Sequence, residues 1–245
     1  MILVSDAGVL KISDRAEEAR RLGDVLRAFD GVAVVRPGDV IDRAVLMERL
    51  RPGHSAAELV AHGRDDEATA VVADVIRRMS PRMPPEGTPT VLDLASAFRA
   101  YRSTGDARIS SGQVDDAERV YVELCDSQRD VRLLHGDLHQ GNILFDDVRG
   151  WVAIDPKGVV GEVAYEVGAS LRNPVEHPGI VASATGVKRW LQILEAALGL
   201  DVTRMIRWAY AQAVLAAIWL VEDEGVVDAR HPFLAFAATS RTLFP

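Results

Sequence analysis

The segment LHGDLHQGNIL, residues 134–144, carries an aspartate and an asparagine five positions apart, and a further aspartate follows farther along the chain. Asp137 precedes Asn142, and Asp155 comes thirteen residues after Asn142. Mg²⁺ takes one or two oxygen ligands from protein and completes its shell with water and phosphate oxygens, a role that Asn142 and Asp155 suit. Asp137 can then accept the proton of an attacking hydroxyl. This spacing is typical of the catalytic loop and metal ligand of phosphate-transferring enzymes.

Two predicted strands bring these side chains together. Residues 143–146 and 151–155 are short apolar runs that flank a turn. If the hairpin turns near Arg149, the first residue of one strand lies opposite Asp155, and Asn142 stands beside it. Each residue alone has a structural explanation, because aspartate often forms turns and asparagine often caps backbone groups. Their combination with two flanking strands favours a catalytic site.

A second interpretation treats His135, Asp137 and His139 as a metal cluster, since the alternation places three ligands within reach of one ion. Metal-dependent hydrolases need further ligands, whereas the remaining histidines stand in isolated contexts. We therefore favour His135 as a residue that holds the loop through hydrogen bonds, and His139 as a solvated loop residue.

Composition limits the class of protein and its partners. The chain has 245 residues, of which 48% are hydrophobic and 26% charged, which is ordinary globular usage. A single cysteine, Cys125, and the lack of a basic leader predict a cytoplasmic location. The apolar stretch 209–221 is shorter than a membrane span requires. A net charge of −8 without basic clusters argues against nucleic acid and favours a cationic small-molecule substrate.

The secondary-structure pattern changes near residue 50. Before it, the sequence predicts one amphipathic helix, turns at 6–8 and 37–39, and strands at 1–4, 9–12, 32–36 and 44–50. After it, helices are predicted at 55–61, 65–80, 90–104, 114–128, 184–198 and 202–224. The amphipathic helix covers 14–29. We predict an α+β fold with a small lobe, residues 1–50, and a mainly helical lobe, residues 51–245, that contains the catalytic loop.

The catalytic segment and the sequence IDPKG, residues 154–158, closely resemble the aminoglycoside phosphotransferases, in particular the branch of streptomycin 6-kinases and hydroxyurea phosphotransferases. The DPKG sequence is the discriminating part. Supporting matches are VLKI at 9–12, LMERLRPG at 46–53 and GEVAYEVG at 161–168. The resemblance covers most of the chain and implies a protein-kinase-like, two-lobed fold.

The resemblance also implies how ATP is held. Lys11 is expected on the α and β phosphates and the backbone around Glu48 to Leu50 on the adenine. Glu18 is the candidate partner of Lys11, although a glutamate in this position also suits a helix N-terminus. Lys157 either steadies the transferred phosphate or pairs with a nearby carboxylate.

The chain departs from the family pattern at its start, which lies almost at the lysine strand. A glycine-rich strand pair precedes this strand in family members, so the N-terminal lobe is expected to be truncated. The predicted activity is phosphorylation of a hydroxyl with ATP and Mg²⁺, on streptomycin or another aminoglycoside. The alternatives are a kinase of another small metabolite or of hydroxyurea, or a degenerate kinase that binds nucleotide.

Overall fold

A four-stranded antiparallel sheet forms the first part of the fold. The computed structural model describes residues 1–79, 82–224, 227–228 and 230–245. The sheet has the order β1-β2-β4-β3 and comprises β1 (Ile2–Val4), β2 (Val9–Ile12), β3 (Pro37–Ile41) and β4 (Ala44–Met47). The predicted hairpin of the first two strands is confirmed. Lys11 pairs with Val45, so the lysine lies on an inner strand of the sheet.

Helix α1 (Ala16–Phe29) packs its apolar face against this sheet. Its buried side chains, among them Leu22 and Leu26, recur at helical spacing. Two glutamates in the first turn suit the partial positive charge of the helix N-terminus. Asp30 ends the helix in the left-handed conformation, with φ of 52°. The predicted helix is confirmed and begins two residues later than expected.

The third strand lies later in the sequence than predicted. Residues 32–36 form no strand in the sheet, and the N–H of Val35 donates instead to the carbonyl of Ala153 at 2.8 Å. Strand β3 begins at Pro37, a position where proline is tolerated because its missing N–H is not needed. The turn is made by Asp42, with φ of 50°, and Arg43. The predicted turn at 37–39 was therefore wrong, because an aspartate in the left-handed region forms the turn.

Helices dominate the remainder of the chain. The strands are β5 (Pro52–Ser55), β6 (Arg132–Leu134), β7 (Ile143–Asp146), β8 (Gly150–Ala153) and β9 (Val159–Gly161). The helices are α2 (Ala57–Ala61), α3 (Asp65–Arg78), α4 (Val91–Leu94), α5 (Ser96–Thr104), α6 (Ser111–Asp126), α7 (Val163–Leu171), α8 (Pro178–Val181), α9 (Ala184–Leu198), α10 (Val202–Glu224) and α11 (Pro232–Arg241). Of the helices within the described ranges, none has the length and apolar character to cross a bilayer.

Most predicted helices are confirmed to within a few residues, and α9 and α10 have the predicted bounds. The predicted helix at 90–104 divides into α4 and α5, where the hydroxyl of Ser96 donates to the carbonyl of Asp93 at 2.7 Å. Residues 52–55 form strand β5, which pairs with β7 through Ser55 and Leu144. The helix predicted at 55–61 therefore begins two residues later, at Ala57, because Ser55 belongs to the strand.

The hairpin of β7 and β8 has a register two residues from the predicted one, with Ile143 opposite Ala153. The turn comes earlier than expected because the Asp146 carboxylate accepts the N–H groups of Val148 and Arg149, each at 3.0 Å. The return strand then starts at position 150, where a glycine has φ of 70°. Asp155 thus lies beyond the paired part of the hairpin.

A two-stranded sheet of β6 and β9, which the sequence pattern did not predict, brackets the catalytic segment. Leu134 pairs with Val159, so the loop that leaves β6 and the loop that enters β9 are neighbours. Beneath them, α10 packs against α6, α7 and α11. Tyr121, Tyr165 and Trp208 meet edge to face in this core, with ring centroids 5.1 to 6.4 Å apart. The core therefore provides a fixed base for α7, which reaches the catalytic loop.

Candidate active site

The catalytic loop, residues 135–142, connects β6 to β7 and is held by a buried glutamate of α7. The Glu166 carboxylate accepts the main-chain N–H groups of His135 at 2.6 Å and Gly136 at 2.9 Å. Its side chain is almost fully covered, and burial raises its pKa to about 7 against the opposing effect of the two N–H donors. Glu166 therefore fixes the backbone at the entrance to the loop.

His135 joins the catalytic loop to the metal loop, which we define as residues 154–158. Its Nδ1 atom accepts the N–H of Asp137 at 3.3 Å, so the ring proton lies on Nε2, which donates to the carbonyl of Ile154 at 2.8 Å. The His135 carbonyl also accepts the N–H groups of Lys157 and Gly158. Burial lowers the pKa of His135 to about 4, which keeps the ring neutral. The prediction that His135 holds the loop through hydrogen bonds is confirmed.

The alternative metal cluster is not supported by these contacts. His139 is half-buried rather than solvated, and its Nδ1 atom accepts the N–H of Gly141 at 3.1 Å. In both histidines of the motif, the Nδ1 atom accepts a hydrogen bond from a backbone N–H group. Among the residues that the structure describes, no group of three or more His, Cys, Asp or Glu side chains is placed to hold a metal ion.

Asn142 and Asp155 are brought together by the ends of the two loops. The side-chain amide nitrogen of Asn142 donates to the main-chain carbonyl of Asp137 at 3.0 Å, which fixes the orientation of the Asn142 side chain within the loop. The main-chain carbonyl of Asn142 accepts the N–H of Ile154 at 2.8 Å, and Asp155 directly follows Ile154 in the chain. Asp155 has φ of 57°, a conformation that costs a non-glycine residue about 1 kcal/mol and is found at functional sites. The predicted proximity therefore arises through Ile154.

Lys11 reaches this site from strand β2 and forms an ion pair with Oδ1 of Asp155. The ammonium group of Lys157 lies 3.4 Å from the other carboxylate oxygen. Burial acts to raise the pKa of Asp155, but the two lysines outweigh it and the pKa is lowered. Of the two roles considered for Lys157, the structure shows the contact with a carboxylate. Asp155 is thus ionised and lies between two cations.

The structure gives each of the other predicted nucleotide contacts, Glu18, Glu48 and Leu50, a different environment. Glu18 is exposed on the first turn of α1, and the structure does not bring it to Lys11. The Glu48 carboxylate accepts the N–H of Arg36 at 2.8 Å and forms an ion pair with Arg149. Leu50 is buried in the core. The Glu48 side chain therefore links the first sheet to the β7–β8 hairpin.

Helix α1 instead contacts the metal loop through its middle. Arg21 donates to the carbonyl of Gly158 at 3.0 Å. Gly158 has φ of 70°, and a Cβ atom there would lie 2.3 Å from a methyl carbon of Val25. Only glycine allows this approach, which explains in physical terms why the resemblance depends on the last residue of the DPKG sequence.

A cavity of about 430 Å³ opens beside Asp137. It is bordered by the catalytic loop, the metal loop and helices α7 and α10, and Arg172, which is buried, places Nη2 3.5 Å from Oδ1 of Asp137. A larger cavity of about 870 Å³ lies elsewhere, near Glu162 and Arg204, and none of the predicted site residues lines it. The smaller cavity is therefore the candidate acceptor site.

Sequence reasoning missed Glu166, Arg172 and Arg21 as site residues. A charged residue inside the apolar helical run 163–171 was the available signal for Glu166. For Arg172 and Arg21, the sequence offered no comparable signal, because their role depends on contacts between distant elements.

These features have counterparts in known proteins. A family model described as aminoglycoside/hydroxyurea antibiotic resistance kinase matches residues 4–224. The chain belongs to this family. It is 30% identical over 202 residues to streptomycin 3''-kinase of Klebsiella pneumoniae, covering 81% of this chain and 74% of that protein. It is 32% identical over 221 residues to hydroxyurea phosphotransferase of Kitasatospora aureofaciens, covering 87% and 62%. The chain is therefore a small-molecule phosphotransferase, and the resemblance predicted from its motifs is confirmed.

Solved structures show the fold of the kinase. A ternary complex of a thermostable mutant of aminoglycoside phosphotransferase APH(4)-Ia with ADP and hygromycin B matches with a TM-score of 0.67 at 14% identity. It covers 99% of this chain and 93% of that one. A choline/ethanolamine kinase family protein from Mesorhizobium loti matches with the same score at 15% identity, covering 99% and 84%. The predicted protein-kinase-like α+β fold is confirmed.

Proposed function

We propose that this kinase transfers the γ-phosphate of ATP to a hydroxyl group of a small molecule, with Asp137 as the base and Asn142 and Asp155 as ligands of Mg²⁺. The observation that supports this proposal is the cross-bonding of two loops. The carbonyl of His135 accepts two N–H groups of the metal loop, and the carbonyl of Asn142 accepts a third. These bonds fix the two loops that carry Asp137, Asn142 and Asp155 against each other, and Asp137 borders the candidate acceptor cavity, which supports a shared role.

Asp137 acts on the acceptor. An acceptor hydroxyl in the cavity donates its proton to the Asp137 carboxylate while its oxygen forms a bond to the γ-phosphorus. The bond between that phosphorus and the β,γ-bridging oxygen breaks, and ADP leaves. The proton then passes to solvent, so the products are the phosphate ester, ADP and one proton. The Asp137 backbone is fixed by His135 and Asn142, which suits a reaction that depends on positioning.

The residues present fit magnesium. An amide oxygen and an ionised carboxylate from adjacent loop ends are hard oxygen ligands, and Mg²⁺ is bound by few protein groups together with phosphate oxygens and water. When bound, the ion neutralises charge that develops on the phosphate oxygens. Asn142 and Asp155 would hold it.

Lys11 and residues near 50 are proposed to bind the nucleotide. Lys11 already lies at Asp155, and its ammonium group is positioned to contact phosphate oxygens at the same place. The backbone around Glu48 to Leu50 is proposed to meet the adenine, as the family resemblance implies. We propose the division at residue 50 into a nucleotide-binding lobe and a helical lobe on the same basis. Glu18, exposed and distant from this ion pair, is not part of the proposal.

The acceptor is the finer part of the proposal. The names of related proteins give two kinds of acceptor, streptomycin and hydroxyurea. The net charge of −8 favours a cationic aminoglycoside, whereas the cationic side chains lining the cavity favour an uncharged compound. The reducing environment expected from the lone Cys125 leads us to propose a cytoplasmic location.

The test is ADP release by purified protein with ATP and Mg²⁺ in the presence of streptomycin, other aminoglycosides or hydroxyurea. We expect Asp137→Asn to reduce acceptor-dependent ADP release at least about 100-fold, the scale of general base catalysis, while ATP binding persists. The matched control is Asp130→Asn, which makes the same change at an exposed loop position. Full activity of the Asp137 variant would refute the proposed base.

A further inference from the structure

The cavity beside Asp137 has an unusual balance of charge for a kinase whose relatives include streptomycin kinases. Among its described lining residues, Arg21, Lys157 and Arg172 are cationic and Asp137 is the only carboxylate. His139 also faces the cavity, and burial lowers its pKa, which favours the neutral ring. A ligand that brings several positive charges into this cavity would meet more repulsion than attraction.

Arg172 is the most buried of these cations. It ends helix α7, and its side chain lies against the aromatic ring of Phe233, with 5.6 Å between the guanidinium carbon and the ring centroid. Nη1 donates to the side-chain oxygen of Gln212 at 3.3 Å, and Gln212 is itself held by donating to the carbonyl of Tyr165 at 2.7 Å. These contacts fix the plane of the guanidinium group.

The donors of Arg172 are incompletely used. Its Nε atom is buried and has no hydrogen-bond partner among the described residues. Nη2 lies 3.5 Å from Oδ1 of Asp137, at the limit of a hydrogen bond. An arginine remains charged at any physiological pH, and a buried donor without an acceptor is costly. The fixed cation therefore places its weakly bonded Nη2 atom, rather than the enclosed Nε atom, next to the reacting group, where it can donate to an oxygen atom of a ligand.

The cavity also has apolar lining residues. Leu94, Trp219 and Phe233 line it, so it offers surface for the carbon skeleton of a small compound. Tyr165 is not a source of negative charge, because burial raises its pKa to well above 10. Among the described lining residues, Asp137 is therefore the only carboxylate, and Arg172 is the cation beside it.

We propose that Arg172 is a specificity-determining residue that selects acceptors carrying a carbonyl or carboxylate oxygen next to the reacting hydroxyl. Such an oxygen accepts a hydrogen bond from the weakly bonded Nη2 atom of Arg172 while the hydroxyl faces Asp137. An acceptor with an ammonium or guanidinium group in that place is excluded by like charge. This inference rests on the proposed function for its use of Asp137 but specifies the acceptor class: small, uncharged or anionic hydroxy compounds with an adjacent carbonyl-type oxygen.

Binding and turnover test the proposal separately. Binding is followed by the fluorescence of Trp219, which lines the cavity, with Trp219→Phe to identify its signal. The probes are hydroxyurea, which is uncharged, lactate, which is an anionic hydroxy acid, and streptomycin, which is a polycation. Turnover is followed by ADP release with each probe. The variants are Arg172→Gln and Arg172→Lys, and the control is Arg99→Gln, which removes one charge at an exposed position outside the cavity.

We expect hydroxyurea or lactate to bind the native protein more tightly than streptomycin. Arg172→Gln should raise KM for the preferred probe at least 10-fold and reduce its advantage over streptomycin by a similar factor. Arg172→Lys keeps the charge and loses the planar fork, so its KM for the preferred probe should lie between those of the native protein and Arg172→Gln. A response to hydroxyurea alone identifies an uncharged acceptor, and a response to lactate identifies an anionic one.

Three results would overturn the inference: tighter native binding of streptomycin, a lack of binding of both oxygen-bearing probes, or a loss of kcat that is equal for all acceptors with KM unchanged. The last result would assign Arg172 to Asp137 or to the transferred phosphate. Binding that depends on Arg172 without any acceptor-dependent ADP release would instead contradict the proposed function and leave the ligand class supported. Circular dichroism of each variant, together with Arg172→Lys, separates these results from misfolding.

Discussion

Glu166→Gln should give the folded protein a pH dependence of stability that the native protein lacks. The fold raises the pKa of this carboxyl from 4.5 to about 7, so the folded state holds the proton more tightly than the unfolded chain does. The protonated Glu166 carboxyl adds its full contribution to the free energy of unfolding below pH 4.5, and this contribution is lost as pH rises to about 7. At about 1.36 kcal/mol per pH unit, the loss is about 3 kcal/mol.

His135 contributes in the opposite direction. Its pKa falls from 6.5 to about 4 on folding, so the unfolded chain takes up the proton first and stability is lost as pH falls from 6.5 towards 4. In the native protein the two groups nearly cancel between pH 5 and 7. Glu166→Gln removes one of them, and only the His135 dependence remains. The variant should therefore lose about 2 kcal/mol between pH 6.5 and pH 5 relative to the native protein.

Urea unfolding, followed by tryptophan fluorescence at half-unit steps from pH 5 to pH 8, measures the difference directly. A pH-independent loss of about 1 to 3 kcal/mol is expected in addition, because glutamine offers one acceptor where the carboxylate bonds two N–H groups. The matched variant is Glu162→Gln, another buried glutamate, whose carboxylate bonds Arg204 and Trp208 rather than the catalytic loop. Parallel pH curves for Glu166→Gln and the native protein would refute the reasoning.

Three further predictions concern the loops and their ligands. Gly158→Ala should destabilise the protein by about 2 to 4 kcal/mol in urea unfolding, because it adds the penalty of a left-handed backbone and a clash with Val25. The control Gly112→Ala, in the open on α6, should stabilise the protein by up to about 1 kcal/mol. Equal effects of the two substitutions would contradict the packing of α1 on the metal loop. Lys11→Met should lower kcat/KM for ATP by about 100-fold in the ADP-release assay, and an unchanged value would remove Lys11 from the nucleotide site. Asn142→Ala should raise the Mg²⁺ concentration needed for half-maximal ADP release, and an unaltered Mg²⁺ dependence would exclude the side chain as a ligand.

Local chemistry made much of the active-site segment predictable. Asp137 and Asn142 lie in one loop, so their spacing in sequence is also a spacing in space. The approach of Asp155 to Asn142 was predicted for a hairpin register that is two residues in error, yet the two residues still meet because both lie where the strands end. Strong helical periodicity likewise fixed α9 and α10.

The remaining features depend on tertiary contacts that a local pattern does not contain. Strands β6 and β9 have three residues each, too few for an alternating pattern to show. Lys11 meets Asp155 rather than Glu18, which depends on how α1 and the metal loop pack. Arg172 acquires its position from Gln212 and Phe233, which follow it by dozens of residues.

The contact of Gly158 with α1 couples the position of the helix to the position of the metal loop. Val25 packs against Gly158 and Arg21 is bonded to its carbonyl, so the helix contacts the backbone of the loop directly. A shift of α1 is passed to residue 158 and hence to Asp155, three positions earlier. Because Arg21 and Gly158 also line the candidate acceptor cavity, a compound that separates the helix from the loop would displace Asp155, the proposed metal ligand, and change the shape of that cavity at the same time.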